Sequence, residues 1–438
     1  MRLEGKGTVW VRLGANPPAF LGSMIRLISI MQRYRALFAL PNVWVLVLAA
    51  FPARIAYGMV GLSLFFKAQQ ETGSIALAGL VIGTNSLAGS FTAGLRGTLI
   101  DRYGQKWPLR FFVPGYALMM IIVNCSHSSA VILAMGILMG LTAPPINLSI
   151  RPLWKTVVTG DFLRTAYAVD TSVMNTASVI GPVIATSLAL SSHPGSALVL
   201  SSALMIIGGG ALAIAPVSRD WKPEKKDSDA QSLWRNPALR LMMLEGSFIG
   251  FGWGLFDVAV PSFATIEKVP HRTAWVFAAM GVSSIIGGLV AGLISKRTSS
   301  LMAMRKTYLI WFLASVPMAF TYPGWSMAIA GALLGFVGGA IQVFYWEVME
   351  AVRPKGSAVS YMAWLWTVEG SVMSLGAAVG GILSERISPQ FCLALTVVSI
   401  GLGNIVLNIG RERLKAANRI PTDDEDLKAM ESNSPINT

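Results

Sequence analysis

The chain alternates between long apolar runs and short polar or Gly/Pro-containing breaks. A helix needs about 20 mostly apolar residues to cross the roughly 30 Å hydrocarbon core of a bilayer. Twelve runs approach that length, and they lack the two-residue alternation that is typical of β-barrel strands. The predicted spans are approximately 42–66, 74–98, 107–126, 130–153, 164–190, 195–217, 238–263, 272–295, 305–322, 325–350, 357–383 and 389–410.

Matching residues recur in the two halves of the chain at nearly one spacing. Tyr57 and Gly58 correspond to Trp253 and Gly254, 196 positions later, and matches in the fourth and fifth spans fall at offsets of 195 and 199. Six spans per repeat give both repeats the same orientation, so an axis along the membrane normal relates them. The pattern therefore predicts an all-α, polytopic membrane protein with twelve transmembrane helices in two six-helix repeats, related by a pseudo-two-fold axis.

The duplication divides the chain into five segments. We predict a basic amphipathic N-terminal segment at 1–41, a six-helix bundle at 42–217, a linker at 218–237, a second six-helix bundle at 238–410 and a disordered tail at 411–438. Residues 19–40 mix apolar side chains with Arg, as in helices that lie on a membrane surface. The alternative for this segment is that translation starts at Met24 or Met31.

Composition and charge indicate the environment and the orientation. Hydrophobic residues make up 53% of the chain and charged residues 13%, against about 25% charged in an ordinary soluble domain. When residues near the span ends are counted with the adjoining loops, 30 of the 35 Lys and Arg residues fall on the side of both predicted termini, and Arg54 alone is assigned to the interior of a span. Because Lys and Arg collect in cytoplasmic loops, we expect a multi-pass protein of the cytoplasmic (inner or plasma) membrane with both termini in the cytoplasm. The net charge of +13 then suits an anionic inner leaflet and not a nucleic acid.

The loop after the second span reads Gly97-Thr-Leu-Ile-Asp101-Arg102-Tyr-Gly104-Gln-Lys106. It resembles the signature between helices 2 and 3 of the major facilitator superfamily in spacing and position. The resemblance implies a twelve-helix transporter with a conformational latch that favours the outward-facing state, formed by Gly97, Asp101, Arg102, Gly104 and Lys106. The Asp101 carboxylate suits the positive N-terminal end of a helix from the other half. The matching stretch 292–297 lacks an acid, so we expect an asymmetric latch. For the basic residues, the alternative is a loop that only sets topology.

Two further signatures of that family are incomplete in this chain. The Arg expected in helix 4 aligns with Gly136, and the antiporter pattern of helix 5 is reduced to Ala177-Ser-Val-Ile-Gly181-Pro182. Gly and Pro inside a span allow close helix packing and a bend, so we expect a bend at Gly181 and Pro182. By resemblance, the remaining pattern favours efflux.

Seven ionisable residues fall inside predicted spans. Insertion of such a group at the bilayer midplane costs roughly 2.5–3.5 kcal/mol, so we expect them to face a cavity, one another or the interface. We expect Glu350 at the interface, Glu245 in helix packing near a basic loop and Asp257 in a cavity. The seven are Arg54, Asp170, Glu245, Asp257, Glu347, Glu350 and Glu369.

Asp170 and Glu369 occupy equivalent positions in the two repeats. Low-dielectric surroundings disfavour the charged form of a carboxyl group, so either acid is a candidate carrier of a transported proton, with Asp257 as a further relay candidate. Alternatively, Asp170 is a fixed counter-ion of Arg54, and Arg54 either serves that pair or binds an anionic substrate. The residues predicted to line a polar and aromatic substrate cavity are Tyr57, Asn147, Asn175, Trp253, Gln342, Trp364 and Trp366.

The sequence contains no phosphate-binding GxxxxGK[ST] loop, no catalytic constellation and no Cys/His cluster. We therefore expect no enzyme, no cofactor and no metal. The preferred interpretation is a monomeric secondary active transporter that moves a small molecule by alternating access, as proton-coupled efflux. Proton-coupled uptake of a nutrient or metabolite by symport is the alternative within transport. A non-transporting membrane sensor is the alternative from another class.

Overall fold

The computed structural model describes residues 32–158, 162–189, 191, 195–224, 233–294 and 298–419. The regular secondary structure of these residues is helical throughout, without a strand. The predicted amphipathic segment and the predicted tail lie mostly outside the described residues. The helical residues 32–39 (α1) contact the second half of the chain, because the Tyr34 hydroxyl donates to the carbonyl of Leu289 at 2.7 Å.

Apolar helices make up the first half of the chain. Their bounds are Val43–Thr72 (α2), Ile75–Tyr103 (α3), Lys106–Cys125 (α4), Ser129–Thr142 (α5), Ile146–Val157 (α6), Phe162–Ala189 (α7), Ser196–Ile214 (α8) and the short Pro216–Arg219 (α9).

The second half follows the linker with the same order of long helices. Their bounds are Pro237–Ile266 (α10), Thr273–Ala291 (α11), Ser300–Ser315 (α12), Trp325–Val352 (α13), Ser360–Arg386 (α14) and Pro389–Ile409 (α15). Short 3₁₀ segments lie at Leu233–Arg235, Pro270–Arg272, Val316–Phe320 and Arg411–Asn418.

The two halves repeat the same helix packing. Helix α2 packs on α7 and α8, and α10 packs in the same way on α14 and α15. Glycines allow this closeness, because a Cβ on Gly181 would lie 2.7 Å from the Cα of Gly58. In the second half, a Cβ on Gly254 would overlap the carbonyl oxygen of Met373. The duplication seen in the sequence is therefore a duplication of helix contacts.

Prolines divide two of the predicted spans. Pro144 and Pro145 separate α5 from α6, so the span predicted at 130–153 consists of two helices. Proline lacks an amide hydrogen and clashes with the preceding turn, which ends a helix. The span predicted at 305–322 begins as α12 and continues as the 3₁₀ segment that contains Pro317.

Ten helical stretches among the described residues are long and apolar enough to cross a membrane. One of them, Ser129–Val157, runs through α5 and α6. Helices α3 and α12 correspond to the other two predicted spans but are not among the ten. The all-helical, membrane-spanning architecture is confirmed, and the exact number of twelve spans stays a prediction.

The halves meet mainly at the face that carries the linker. Helix α3 packs on α14, and α7 packs on α11 and α13. We call this side the linker face and define it by Asp101, Glu224 and Arg353; the far face is the opposite side, defined by His127 and Tyr322. The interhalf contacts extend inward through the bond from Asn175 to Ser284 and reach Val179, which lies against Gly281.

Candidate functional site

A cavity of about 810 Å³ lies between the two halves. This volume falls in the range of sites that hold drug-sized ligands, roughly 300–1,000 Å³. Val183 lines the cavity on the side toward the far face and is 62% exposed. The tight interhalf contacts lie toward the linker face, so the cavity opens toward the far face.

The second half supplies the aromatic wall of this cavity. The rings of Trp253 and Trp311 lie 6.0 Å apart, and those of Trp346 and Trp366 lie 6.3 Å apart. The indole of Trp311 donates to the carbonyl of Leu334 at 3.1 Å, which fixes that ring. Three further aromatic residues complete the wall: Phe277, Tyr308 and Tyr345.

The first half supplies a smaller and more polar wall. Asn175 of α7 donates to the hydroxyl of Ser284 at 2.8 Å across the two halves. Pro182 of the predicted bend lines the cavity, whereas Gly181 is buried against α2. The remaining residues of this wall are Ser90, Ser178, Val179 and Val183.

Two carboxylates face the cavity, one from α10 and one from α14. Glu245 is 3% exposed, and its Oε1 accepts a bond of 2.5 Å from the Tyr308 hydroxyl. Glu369 is half-buried and accepts no hydrogen bond from any described residue. No Lys, Arg or His is present among the described residues that line the cavity. The lining therefore carries two acidic groups and no basic one.

Glu245 corrects a prediction from the sequence. Its depth in span 7 suggested a packing partner for a basic loop, but it faces the cavity and its hydrogen bond goes to Tyr308. The signal available in the sequence was helical spacing. Glu245, Ile249 and Trp253 recur every four residues on one face of α10, and all three line the cavity.

Asp257 lies one turn beyond Trp253 on the same face of α10. It is exposed and lies outside the cavity lining, nearer the far face. A rise of 1.5 Å per residue places Asp257 about 18 Å along the helix from Glu245. Glu245 and Glu369 lie at the floor of the cavity, and Asp257 is therefore not part of it.

A second charged cluster is enclosed within the first half. Arg54 donates to the Oδ1 of Asp170 at 2.6 Å and to the Oδ1 of Asn147 at 2.9 Å. Arg151 lies 3.7 Å from the Oδ2 of Asp170, and Arg54, Arg151 and Asp170 are all buried. The arrangement matches the counter-ion interpretation of Asp170 and leaves both residues of the pair outside the cavity lining.

Arg151 also joins the two halves. Its guanidinium lies 3.1 Å from the centroid of the Trp346 ring of α13. Its nitrogens make no hydrogen bond within the described residues. Since Trp346 lines the cavity, Arg151 lies behind the cavity wall. Sequence reasoning missed this residue because it lies at the predicted end of a span, where a basic side chain reads as a topology signal.

Three predicted lining residues lie elsewhere in the structure. The Tyr57 hydroxyl donates to the carbonyl of Pro144, and Asn147 is bound to Arg54. Trp364 packs against Trp234 with ring centroids 4.6 Å apart. Contacts inside the first bundle hold Tyr57 and Asn147 away from the cavity, whereas Trp364 lies in the contact between the halves, against Gly94. Linear periodicity shows neither kind of pairing. The predicted residues that do line the cavity are Asn175, Trp253, Gln342, Trp366 and Glu369.

The predicted latch residues lie at the contact between α3 and α14. The Asp101 carboxylate accepts the backbone N–H of Ser360 at 2.7 Å and that of Val359 at 2.9 Å. Asp101 thus binds the N-terminal end of α14, a helix of the other half. At Gly97, an added Cβ would lie 2.5 Å from the Cβ of Ala363, so only glycine allows this approach.

The other latch residues have separate roles. Gly104 ends α3 with a φ of +77°, a conformation that glycine adopts without strain. Arg102 and Lys106 lie near the rings of Tyr103 and Trp107, at 5.3 and 5.5 Å from the centroids. Neither basic side chain makes the interhalf contact that Asp101 makes.

Ion pairs between the halves accompany the Asp101 contact. Arg164 of α7 binds both carboxylate oxygens of Glu347 at 2.6 and 2.7 Å. Lys155 of α6 lies 2.5 Å from Glu350. Glu347 and Glu350 share one face of α13. This three-residue spacing was the sequence signal that both acids meet basic residues of the same neighbouring surface.

The linker is clamped by a third ion pair. Arg353, at the end of α13, donates to both oxygens of Glu224 at 2.5 and 2.7 Å. The hydrogen bond from the Arg353 guanidinium lowers the pKa of Glu224 to about 2. Together, these contacts close the linker face in the described conformation.

The closed linker face, the duplicated bundle and the central cavity all fit one family. The sequence profile of the Major Facilitator Superfamily matches residues 46–377. The chain belongs to this superfamily. It is therefore a multi-pass membrane protein of a transporter superfamily.

Two curated relatives are similar over different lengths. An uncharacterized MFS-type transporter, y4rN, of Sinorhizobium fredii (strain NBRC 101917 / NGR234) is 25% identical over 385 residues, which cover 82% of this chain and 93% of that protein. The multidrug efflux pump Tap of Mycolicibacterium fortuitum is 24% identical over 181 residues, which cover 40% of this chain and 42% of Tap.

Solved structures share the fold at low sequence identity. The human organic anion transporter MFSD10 (TETRAN) gives a TM-score of 0.66 at 15% identity, with 83% of this chain and 98% of that chain covered. A bacterial homologue of the iron transporter ferroportin in the outward-facing state gives a TM-score of 0.71 at 11% identity, with 85% and 100% covered. These likenesses establish the MFS fold.

Proposed function

We propose that this MFS transporter exports a small organic molecule from the cytoplasm by alternating access and couples export to proton entry. The linker face is assigned to the cytoplasm of a cell whose inner or plasma membrane holds the protein. This orientation rests on the 30 of 35 Lys and Arg residues that fall on that side, as expected for cytoplasmic loops. The described conformation is then the one that faces outward.

The observation that carries the proposal is the unpartnered Glu369 carboxylate in the central cavity. Glu369 has no basic partner among the described residues of the cavity lining, so a proton can bind to it or leave it without depriving a buried cation of its counter-ion. Proton uptake at Asp170 would instead strand Arg54 and Arg151, which is costly for buried charges. Between the two acids related by the repeat, we therefore assign coupling to Glu369 and a structural role to Asp170.

The groups around Glu369 fit a proton site. Glu245 of α10 is the other acid in the cavity, with Tyr308 of α12 bound to it. Tyr345 of α13 and Ser90 of α3 also line the cavity. The like charges of Glu245 and Glu369 disfavour ionisation of both at once. A proton on Glu369 relieves that repulsion, and a bound substrate can take the place of this proton.

Export is favoured over uptake by two features of the chain. Pro182, from the partial antiporter pattern, lines the cavity wall. In addition, part of the chain is similar to Tap, a multidrug efflux pump. Both features support export, and the direction of transport is the quantity that the following experiment measures.

Transport in oriented vesicles tests the proposal. Everted vesicles containing the protein receive a panel of fluorescent organic cations, anions and neutral compounds under an imposed pH gradient, acidic inside. We expect at least one compound to accumulate when the gradient is present and accumulation to be lost in Glu369→Gln. Glu385→Gln is the matched control, because Glu385 lies on the same helix but is exposed.

The same experiment separates the rival functions. Accumulation only under the reversed gradient, acidic outside the vesicle, would indicate proton symport and overturn proton-coupled export. Binding of a compound without movement in either orientation would indicate a sensor. Accumulation that is unchanged in Glu369→Gln would remove this residue from coupling.

A further inference from the structure

We propose that the cavity binds an amphipathic organic cation, with its positive charge at Glu369 and its apolar part against the tryptophan wall. This inference deepens the proposed function by naming the substrate class of the same cavity. It rests on three independent features of the cavity: its charge, its aromatic lining and the position of the nearest basic groups.

The charge of the cavity favours a cation. Its described lining contains two carboxylates and no Lys, Arg or His. The Glu245 carboxylate is engaged by Tyr308, whereas Glu369 has no hydrogen-bond partner among the described residues. A bound ammonium-type group would supply the opposite charge that this carboxylate lacks. An anion would meet two like charges instead.

The aromatic wall favours an organic cation over a metal ion. Tryptophan faces attract cations through the ring quadrupole and also cover apolar surface. The wall presents Trp253, Trp311, Trp346 and Trp366 around the two acids. Hard metal ions such as Ca²⁺ prefer six or more oxygen ligands. The described residues contain no group of three or more His, Cys, Asp and Glu side chains placed to hold a metal.

Three buried guanidinium groups of the first half are occupied by other partners, and the first of them, Arg96, donates to the carbonyls of Gly89 and Ala143. Arg54 is bound to Asp170 and Asn147. Arg151 lies behind the wall, against the ring of Trp346 and near Asp170. None of the three guanidinium groups lines the cavity. The alternative in which Arg54 binds an anionic substrate therefore has no geometric support in this conformation.

A pair of probes with the same shape and opposite charge tests the proposal. Tetraphenylphosphonium and tetraphenylborate are titrated into the purified full-length protein in a neutral detergent, and binding is followed by calorimetry. We expect the cation to bind at least tenfold more tightly than the anion. Glu369→Gln should weaken cation binding at least tenfold, and Glu245→Gln should also weaken it. Glu385→Gln is the matched control and should leave it unchanged.

Several outcomes would overturn the cation proposal. They are equal or tighter binding of tetraphenylborate, unchanged cation binding in a folded Glu369→Gln variant, and tighter binding of Mn²⁺ than of either organic ion. Thermal unfolding without ligand shows whether each variant is folded. If Glu369→Gln does not fold, Glu245→Gln decides the result.

Binding and transport fail independently. Cation binding without gradient-driven movement would support this cavity assignment and contradict the proposed transport. Gradient-driven movement of an anion, with no cation bound, would contradict the substrate class and leave the proposed transport intact.

Discussion

Buried ionisable side chains in a membrane protein persist where another charge or a hydrogen bond compensates them, or where water reaches them. Asp170 and Glu369, at equivalent positions of the two repeats, illustrate the two cases. Asp170 is 1% exposed and lies between Arg54 and Arg151. Glu369 faces an open cavity and has no such partner in the part of the chain that the structure describes. Equivalent positions in a duplicated chain therefore carry different chemistry.

The pairing of Asp170 leads to a prediction about stability. Removal of one partner from a buried ion pair costs about 3–5 kcal/mol, because the other charge is left uncompensated. We expect Asp170→Asn to reduce the free energy of unfolding by about that amount, and Glu369→Gln to change it much less. Thermal unfolding of the two variants in one detergent measures the difference. Equal midpoints for both variants would contradict the assignment of Asp170 to a structural pair.

At this scale, sequence reasoning located the ionisable residues but not their surroundings. The repeat identified Asp170 and Glu369 as equivalent, and Trp253 was among the residues predicted to line a cavity. The roles of Tyr57 and Trp364 depend on which neighbouring helix each side chain meets. That information lies in tertiary packing, which periodicity along a single helix does not contain.

At the scale of helices, the linker face is closed by charges placed at helix ends. A carboxylate at a helix N-terminus is stabilised by unpaired backbone N–H groups and by the helix dipole. Asp101 makes this contact with α14, and Gly97 allows the two helices to approach. The closed face thus depends on a junction that has to break whenever the transporter opens on this side.

Loss of this junction should increase opening of the linker face. For Asp101→Asn, a cost of about 1–2 kcal/mol corresponds to a 5- to 30-fold larger open population. The reporter is Thr165→Cys in a background with Cys125→Ser and Cys392→Ser, because Thr165 is fully buried at the interface with Gly292. We expect N-ethylmaleimide to label Cys at this position faster by that factor. Arg102→Gln, at an exposed position, is the control and should change the rate less than twofold.

The clamp between Glu224 and Arg353 should respond to pH. The pKa of Glu224 is lowered from 4.5 to about 2, so the folded protein favours the charged carboxylate. The stabilisation is complete above about pH 4.5 and is lost as the pH falls toward 2. We expect Glu224→Gln to lower the unfolding midpoint at pH 7, with a difference from wild type that shrinks progressively below pH 5. Because Glu224 is 38% exposed, solvent screening keeps the effect small. A difference that stays constant from pH 7 to pH 3 would contradict this assignment.

Helix boundaries show a second limit of the sequence prediction. The fourth span was predicted as continuous although it contains Pro144 and Pro145, and the structure has a break there. The composition of the run indicated a membrane crossing but not its continuity. The signal was present in the two prolines, and average hydropathy concealed it.

At the scale of the whole molecule, hydropathy and duplication were sufficient to predict a two-bundle transporter fold. Apolar runs of this length enter the bilayer as helices, because a helix satisfies its own backbone hydrogen bonds there. Two similar sequences then pack their helices in a similar way. The cavity is not repeated. Its aromatic residues and its two acids come from the second half, and the first half supplies mainly small and polar residues. This asymmetry arises from side-chain identities that the repeat leaves free to vary.

The orientation of the whole molecule can be tested together with the open side of the cavity. The sequence assigns 30 of the 35 Lys and Arg residues to segments predicted on the linker side, so we expect that side to face the cytoplasm. Single cysteines replace Lys355 on the linker face, Tyr322 on the far face and Val183 in the cavity, all exposed, in the cysteine-free background. In intact cells, a membrane-impermeant maleimide should label Tyr322→Cys and Val183→Cys but label Lys355→Cys only after permeabilisation. Labelling of Lys355→Cys in intact cells would show that the linker face lies outside the cell, opposite to the expected orientation. Protection of Val183→Cys in intact cells would show that the cavity is closed to the outside in the resting protein, so this one set of variants separates topology from conformation.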